Sequence, residues 1–252
     1  MDQRHNIKSI LFNFSGTLDT EGREWFDLIW KEYRETNIPV SKIDYLHAHQ
    51  YAEAQIAERK LIEPGFNLYL TLYTRLSLQI KYLIDNGLLS DNSCTHKYPQ
   101  QLATLCYNRA IMHVRQNEQI LEQLVERYRL GIVSQSYGNL LAILTDFGLA
   151  SYFTDVIESS VVNLNKPDKK LFKFSLDTMH SAPQETLCVS NSINNDLLPA
   201  KSIGCQTAWL NPRQVPPAKR ISNYHITSLA ELNLLLTEQE AIINKTETTT
   251  YY

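Results

Sequence analysis

No stretch of this chain is apolar for long enough to enter a membrane. The N-terminal run from Ile10 to Phe14 is shorter than either a spanning helix or the apolar core of a secretory signal requires, so the chain is expected to be cytoplasmic. Excess charge of either sign is also missing: 24 Lys and Arg face 27 Asp and Glu, a net charge of -3. Such a chain has no general attraction for phosphate backbones or anionic lipid, and neither nucleic acid nor membrane is an expected partner. Cysteine is sparse, and Cys94, Cys106, Cys188 and Cys205 show no CxxC spacing. Free thiols, with Cys188 and Cys205 inside apolar runs, are expected in place of disulfides or metal ligands. The seven histidines form no ligand-spaced pair, since His47 and His49 would leave a helix on opposite sides. Internal repeats are absent.

What is present suits an ordinary folded protein. Hydrophobic residues make up 43% of the 252 positions and charged residues 20%, a balance that supports one core with a modest insertion. Short apolar runs recur at Ser9 to Phe14, Leu130 to Ser134, Thr154 to Glu158, Leu187 to Ser190 and Thr207 to Leu210. They are too short for helices and too continuous for half-exposed strands. Between them lie helical patterns: Asn139 to Phe147, stopped by Gly148, and Pro167 to Met179, with Leu171, Phe172, Phe174 and Leu176 placed to pack on a sheet. The alternation predicts an α/β fold with a parallel, Rossmann-like sheet covered on both faces.

From about Glu21 to Gln116 the pattern is helical alone, with apolar stripes at Trp25, Ile29 and Trp30, at Tyr69, Tyr73, Leu76 and Ile80, and at Leu102, Leu105 and Cys106. An all-helical insert after the first strand of such a sheet reads as a cap over the strand ends. The expected division is an α/β core over 1–18 and 117–243, a cap domain over 19–116 hinged near Leu18 and Gln116, and a flexible tail over 244–252.

Four segments then carry a resemblance. Leu11-Phe12-Asn13-Phe14-Ser15-Gly16-Thr17-Leu18-Asp19 resembles the first motif of the haloacid dehalogenase-like (HAD) superfamily, an apolar strand followed by Asp-x-Asp-Gly-Thr-Leu. Leu130 to Ser134 resembles the second, Lys166-Pro167-Asp168 the third, and Val189 to Asp196 the fourth, usually Gly-Asp-Ser-x-x-Asn-Asp. Four motifs in order at strand ends are a specific signal, although each alone is weak.

The resemblance implies roles residue by residue. Asn13 stands where the family has its aspartate nucleophile, and Ser15 where it has its general acid/base. Ser134, Lys166 and Gly16 stand at phosphate-binding positions. Asn13, Asn191 and Asp196 stand at metal positions, with only Asp196 retaining its carboxylate. An amide is a poor nucleophile, an alcohol lies far from the pKa that acid/base catalysis needs, and magnesium prefers anionic oxygens. Magnesium, the family's cofactor, is therefore expected to bind weakly or not at all. A catalytically inactive pseudo-phosphatase follows, binding a small anionic metabolite or a protein partner at the vestigial site. An active HAD hydrolase with a compensated site and a purely structural or interaction protein remain as alternatives.

Overall fold

The computed structural model describes residues 7–212 and 221–238. Six parallel strands form one sheet in the order β3-β2-β1-β4-β5-β6: β1 (Ser9–Phe12), β2 (Arg129–Ser134), β3 (Asp155–Glu158), β4 (Thr186–Ser190), β5 (Gln206–Leu210) and β6 (Tyr224–Ile226). Five of them correspond to the apolar runs, with β1 ending at Phe12 so that Asn13 lies just beyond the strand. The sixth was not legible, because a three-residue edge strand carries no periodicity to read.

The first strand lies between β2 and β4, with Phe12 opposite Ile132 on one side and Val189 on the other. Its side chains alternate between two cores. Ile10 and Phe12 join the larger core, which continues into the helical insert, whereas Leu11 joins Val133, Cys188 and Phe172 on the opposite face. Burial on both faces explains why these strands read as unbroken apolar runs. Gly131 in β2 is required by close approach, since a Cβ there would lie 2.5 Å from the Met179 sulfur.

Helices flank the sheet: α5 (Leu140–Asp146), α6 (Ser159–Val162), α7 (Lys169–Thr178) and α8 (Leu198–Ser202), with a further helix over 229–238. Helix α5 is closed by Gly148 at φ +74°, a conformation that glycine adopts without strain. Helix α7 starts two residues later than the proline suggested. Pro167 stays outside it, and the Asp168 side chain accepts from the Lys170 amide as the cap. Leu171, Phe172 and Leu176 are buried as expected, but Phe174 is exposed, because helical spacing turns it away from the sheet.

The insert holds α1 (Trp25–Glu35), α2 (Lys42–Arg59), α3 (Leu68–Asp85) and α4 (Tyr98–Val125). Ser41 and Asn67 cap α2 and α3 by accepting from the amides three residues on. Helix α3 packs between α2 and α4. Leu76, Ile80, Leu102 and Cys106 are buried in that packing, while Tyr73 and Leu105 at the edges of their stripes are exposed. Gln116, expected at a hinge, lies inside α4, which runs unbroken to Val125. Its neighbour Asn117 donates to the Leu18 carbonyl at 2.9 Å, so the two expected hinge points are tied together. The proposed tail at 244–252 lies outside the described residues.

All four cysteines are free, but Cys94 is exposed, unlike the other three. His47 points to solvent, whereas His49 packs edge-on to Phe26.

A partly exposed Arg109 on α4 bonds the buried Glu32 of α1 and also Glu35, the latter at 2.7 Å. Removing one partner of such a pair leaves a buried charge unsupported, which outweighs anything the pair contributes by itself. Arg109→Ala is expected to lower unfolding free energy by about 3 kcal/mol, with most of it recovered in Arg109→Ala/Glu32→Leu. Urea denaturation of the two variants checks this. A loss under about 1 kcal/mol in the single variant would mean that water already supports Glu32.

Candidate functional site

The carboxyl ends of β1, β2 and β4 lie side by side, and the loops leaving them bring the motif residues together. Asn13 follows β1 and extends its ladder by donating its amide to the Val189 carbonyl at 3.0 Å. Ser134 ends β2, and Asn191 follows β4. Asp196 lies in a π-helical turn, Ile193–Leu197, that enters α8. Lys166 comes from the loop between α6 and α7. Gly16 adopts φ +84°, and a Cβ there would meet the Asn191 side chain at 2.5 Å. A turn that must be both left-handed and in close contact accepts only glycine.

At the centre of this group is an ion pair with almost no access to water. Lys166 Nζ lies 2.5 Å from Asp196 Oδ1, with side-chain exposures of 4% and 2%. The second Asp196 oxygen accepts from Ser190 Oγ at 2.7 Å, and Lys166 also donates to Asn13 Oδ1 at 3.0 Å. An ammonium group can only donate, which fixes the orientation of the Asn13 amide. Its nitrogen must then face the other way. There it donates to the Ser15 carbonyl at 2.6 Å and points at Asn191 Oδ1, 3.5 Å distant. Asn191 is held in turn by Thr17 and Glu24, the latter accepting from Nδ2 at 2.9 Å.

These contacts decide whether a magnesium ion fits. A cation needs oxygens with free lone pairs directed at one point. Here the Asn13 NH2 group, a donor, is directed at the Ser15 carbonyl and Asn191 Oδ1, and both Asp196 oxygens are already engaged. The residues present do not fit the ion. Among the described residues no group of three or more His, Cys, Asp or Glu side chains is arranged to hold a metal.

Beside this network, between the sheet ends and the helical insert, is a cavity of about 600 Å³. Ser15, Ser134 and Asn165 line it from the core, and Trp25, Glu53 and Arg75 line it from α1, α2 and α3. Neither Asn13 nor Lys166 is on its wall. The motif residues therefore divide: Ser15 and Ser134 reach the cavity, whereas Asn13, Lys166, Asn191 and Asp196 bond one another behind it. Gly16 was expected to offer its amide to an anion, but that amide donates to Asp19 Oδ1 at 2.7 Å.

The cavity also contains groups to which the motifs assign no role. Asp19 accepts from Gly16 N and, through Oδ2, from Trp25 Nε1 at 2.7 Å. Arg75 pairs with Glu53 at 2.7 Å and donates to the Tyr137 hydroxyl at 2.7 Å, and Tyr137 donates to Glu53 at 2.6 Å. Burial opposes the Arg75 charge, yet Tyr137 and Glu53 hold it firmly protonated. Asp19 closes the first-motif segment and could have been suspected from that position alone. Glu53, Arg75 and Tyr137 lie on three separate elements, and only folding brings them together.

Burial pushes the Asp19 carboxyl up to about 7 from an ordinary 3.8, against the opposing hydrogen bonds from Trp25 and Gly16. A folded-state value above the unfolded one means that the native chain holds a proton the unfolded chain has released. The stability linked to that proton is complete below about pH 4 and is lost as pH rises through about 7. Between pH 5 and 8 the wild type is expected to lose about 3 kcal/mol more than Asp19→Asn. Urea unfolding of both proteins at the two pH values measures this. Parallel profiles would show that Asp19 titrates as a solvated carboxylate.

The geometry has counterparts among known proteins. A family model described as haloacid dehalogenase-like hydrolase matches residues 80–210, a span that includes Ser134, Lys166, Asn191 and Asp196. The glyceraldehyde 3-phosphate phosphatase of Methanocaldococcus jannaschii is 33% identical over 91 residues, covering 35% of this chain and 40% of that protein. The pyrimidine 5'-nucleotidase YjjG of Escherichia coli is 29% identical over 111 residues, covering 43% and 49% respectively. The chain thus spans less than half the length of these curated relatives. Two solved structures share the fold over almost their whole length. The L-2-haloacid dehalogenase RSc1362 has a TM-score of 0.61 at 18% identity, covering 92% of this chain and 99% of that one. A HAD phosphatase from Thermococcus onnurineus has a TM-score of 0.54 at 21% identity, covering 91% and 98%. With strand order, motif positions and family model in agreement over half of its residues, the chain belongs to the haloacid dehalogenase-like hydrolase family.

Proposed function

We propose that this member of the family does not hydrolyse phosphate esters with magnesium, and that it works as a binding protein through the cavity between sheet and helical insert. The observation that carries this reading is the Asn13 amide. Its oxygen accepts from Lys166 and its nitrogen donates to the Ser15 carbonyl, so the nucleophile position is occupied by a neutral group with both ends engaged. Ser15, at the acid/base position, offers a hydroxyl that does not ionise near neutral pH, far from the matched pKa of a general acid or base. The similarity to enzymes named as phosphatases supports descent from phosphate-ester chemistry, and these substitutions support its loss.

The charge balance also favours binding over turnover. In this reading Asp196 neutralises Lys166 in place of a reacting phosphoryl group, and releasing the lysine would expose a buried carboxylate at a penalty of several kcal/mol. Lys166 does not serve as an anion site in this reading, because its ammonium group is already paired and lies off the cavity wall.

Assay of an aryl phosphate, sugar phosphates and nucleotides with magnesium is expected to give no turnover above background, and magnesium is expected to leave the melting temperature unchanged. Turnover near about 1 per second that disappears in Lys166→Ala would overturn the proposal. Loss of a nucleophile alone removes several orders of magnitude of rate, so the two outcomes are far apart.

A further inference from the structure

The wall of the cavity carries little net charge for a family of phosphate-ester enzymes, and this bears on what it holds. The one cation that lines it among the described residues, Arg75, is paired with Glu53, also on the wall. Asp19 adds nothing when protonated and one negative charge when ionised. In neither state does the lining carry the positive excess that a dianionic ester needs to leave water. The charge that could have supplied it, on Lys166, faces Asp196 at 2.5 Å outside the lining.

In place of charge, the cavity presents hydroxyls and amides. Ser15, Ser134 and Ser160 line it, and their hydroxyls make no hydrogen bond within the described residues. Asn165 and Gln135 add amide groups, and the Tyr137 hydroxyl bridges Arg75 and Glu53. Donors and acceptors therefore share the lining of a space of about 600 Å³, within the range of small-molecule sites. The indole of Trp25 is held in place by its bond to Asp19 and contributes a flat apolar face. A ring with several hydroxyls on its edge and apolar hydrogens on its face matches that surface.

We propose that the cavity takes an uncharged polyhydroxylated small molecule, a free sugar or a nucleoside and not its phosphate ester. This rests on the reading that the chain binds without hydrolysing. Vicinal hydroxyls meet the paired Arg75 and Glu53, each able to donate to the carboxylate and accept from the guanidinium. The ring lies against Trp25, and the remaining hydroxyls reach Ser15 and Ser134.

Calorimetry and saturation-transfer NMR on the full chain test this with ribose, glucose, adenosine and uridine, each beside its phosphate ester. At least one free polyol is expected to bind, with its ester weaker by about tenfold or more. Ala57→Trp, which fills the cavity from an exposed position on α2 where folding is not at stake, is expected to abolish that binding. Tyr137→Phe is expected to weaken it. The ligand class is overturned if an intact ester binds more tightly than its parent, or if no polyol binds at about 10 mM. It is also overturned if a bound polyol is indifferent to Ala57→Trp. Phosphorus NMR of the ester samples keeps the two readings apart: release of inorganic phosphate overturns the non-catalytic reading, whereas tight binding of an unchanged ester overturns only the ligand class.

Discussion

Desolvation of the Lys166 and Asp196 charges constrains everything around them. Two ions at 2.5 Å with almost no water contact need support from the groups around them, because an isolated charge in such a place is penalised by several kcal/mol. Ser190 bonds one Asp196 oxygen and Asn13 accepts from Lys166, while the other Asp196 oxygen faces the ammonium charge alone. Asn13 then settles the Ser15 carbonyl and the side chain of Asn191, and Asn191 requires Gly16 to lack a Cβ. One electrostatic requirement thus passes through three loops, those after β1 and β4 and the one before α7, and fixes the geometry of the strand ends.

The same reasoning explains how amides at positions 13 and 191 are accommodated in so dry a place. A carboxylate at position 13 would face Lys166 on one side but the Ser15 carbonyl and Asn191 on the other, an arrangement of oxygens that needs a cation between them. The NH2 group of Asn13 supplies hydrogens in that place. Asn13 and Asn191 together make a neutral set whose amide groups bond within the fold.

The sheet and the motif positions were legible in the sequence because they rest on short-range signals: continuous apolar runs, a stopping glycine, and tetrapeptides at strand ends. What was not legible rests on angles and distances. Phe174 and Leu105 belong to apolar patterns but face outwards, since a stripe on a helix has edges that pattern alone does not locate. Pro167 marks the approach to α7 and not its first turn, because Asp168 competes for the capping position. Arg75, Glu53 and Tyr137 are ordinary surface residue types by composition, and their assembly depends on α2, α3 and the loop after β2 meeting at one point. Gly16 holds a phosphate-binding position by its place in a motif, yet in the fold its amide donates to the carboxyl group three residues along.

Helix α4 has a consequence for motion. Its 28 residues run from the insert down to the start of β2, a length of about 42 Å at the standard rise. The insert therefore shares a continuous beam with the sheet, and the Asn117 bond to Leu18 clamps the other connection to that beam. A lid on two flexible straps swings open at little elastic expense. A lid mounted on an uninterrupted helix moves only as far as the helix bends, so traffic into the interior is governed by beam stiffness and by the width of the gap that bending provides.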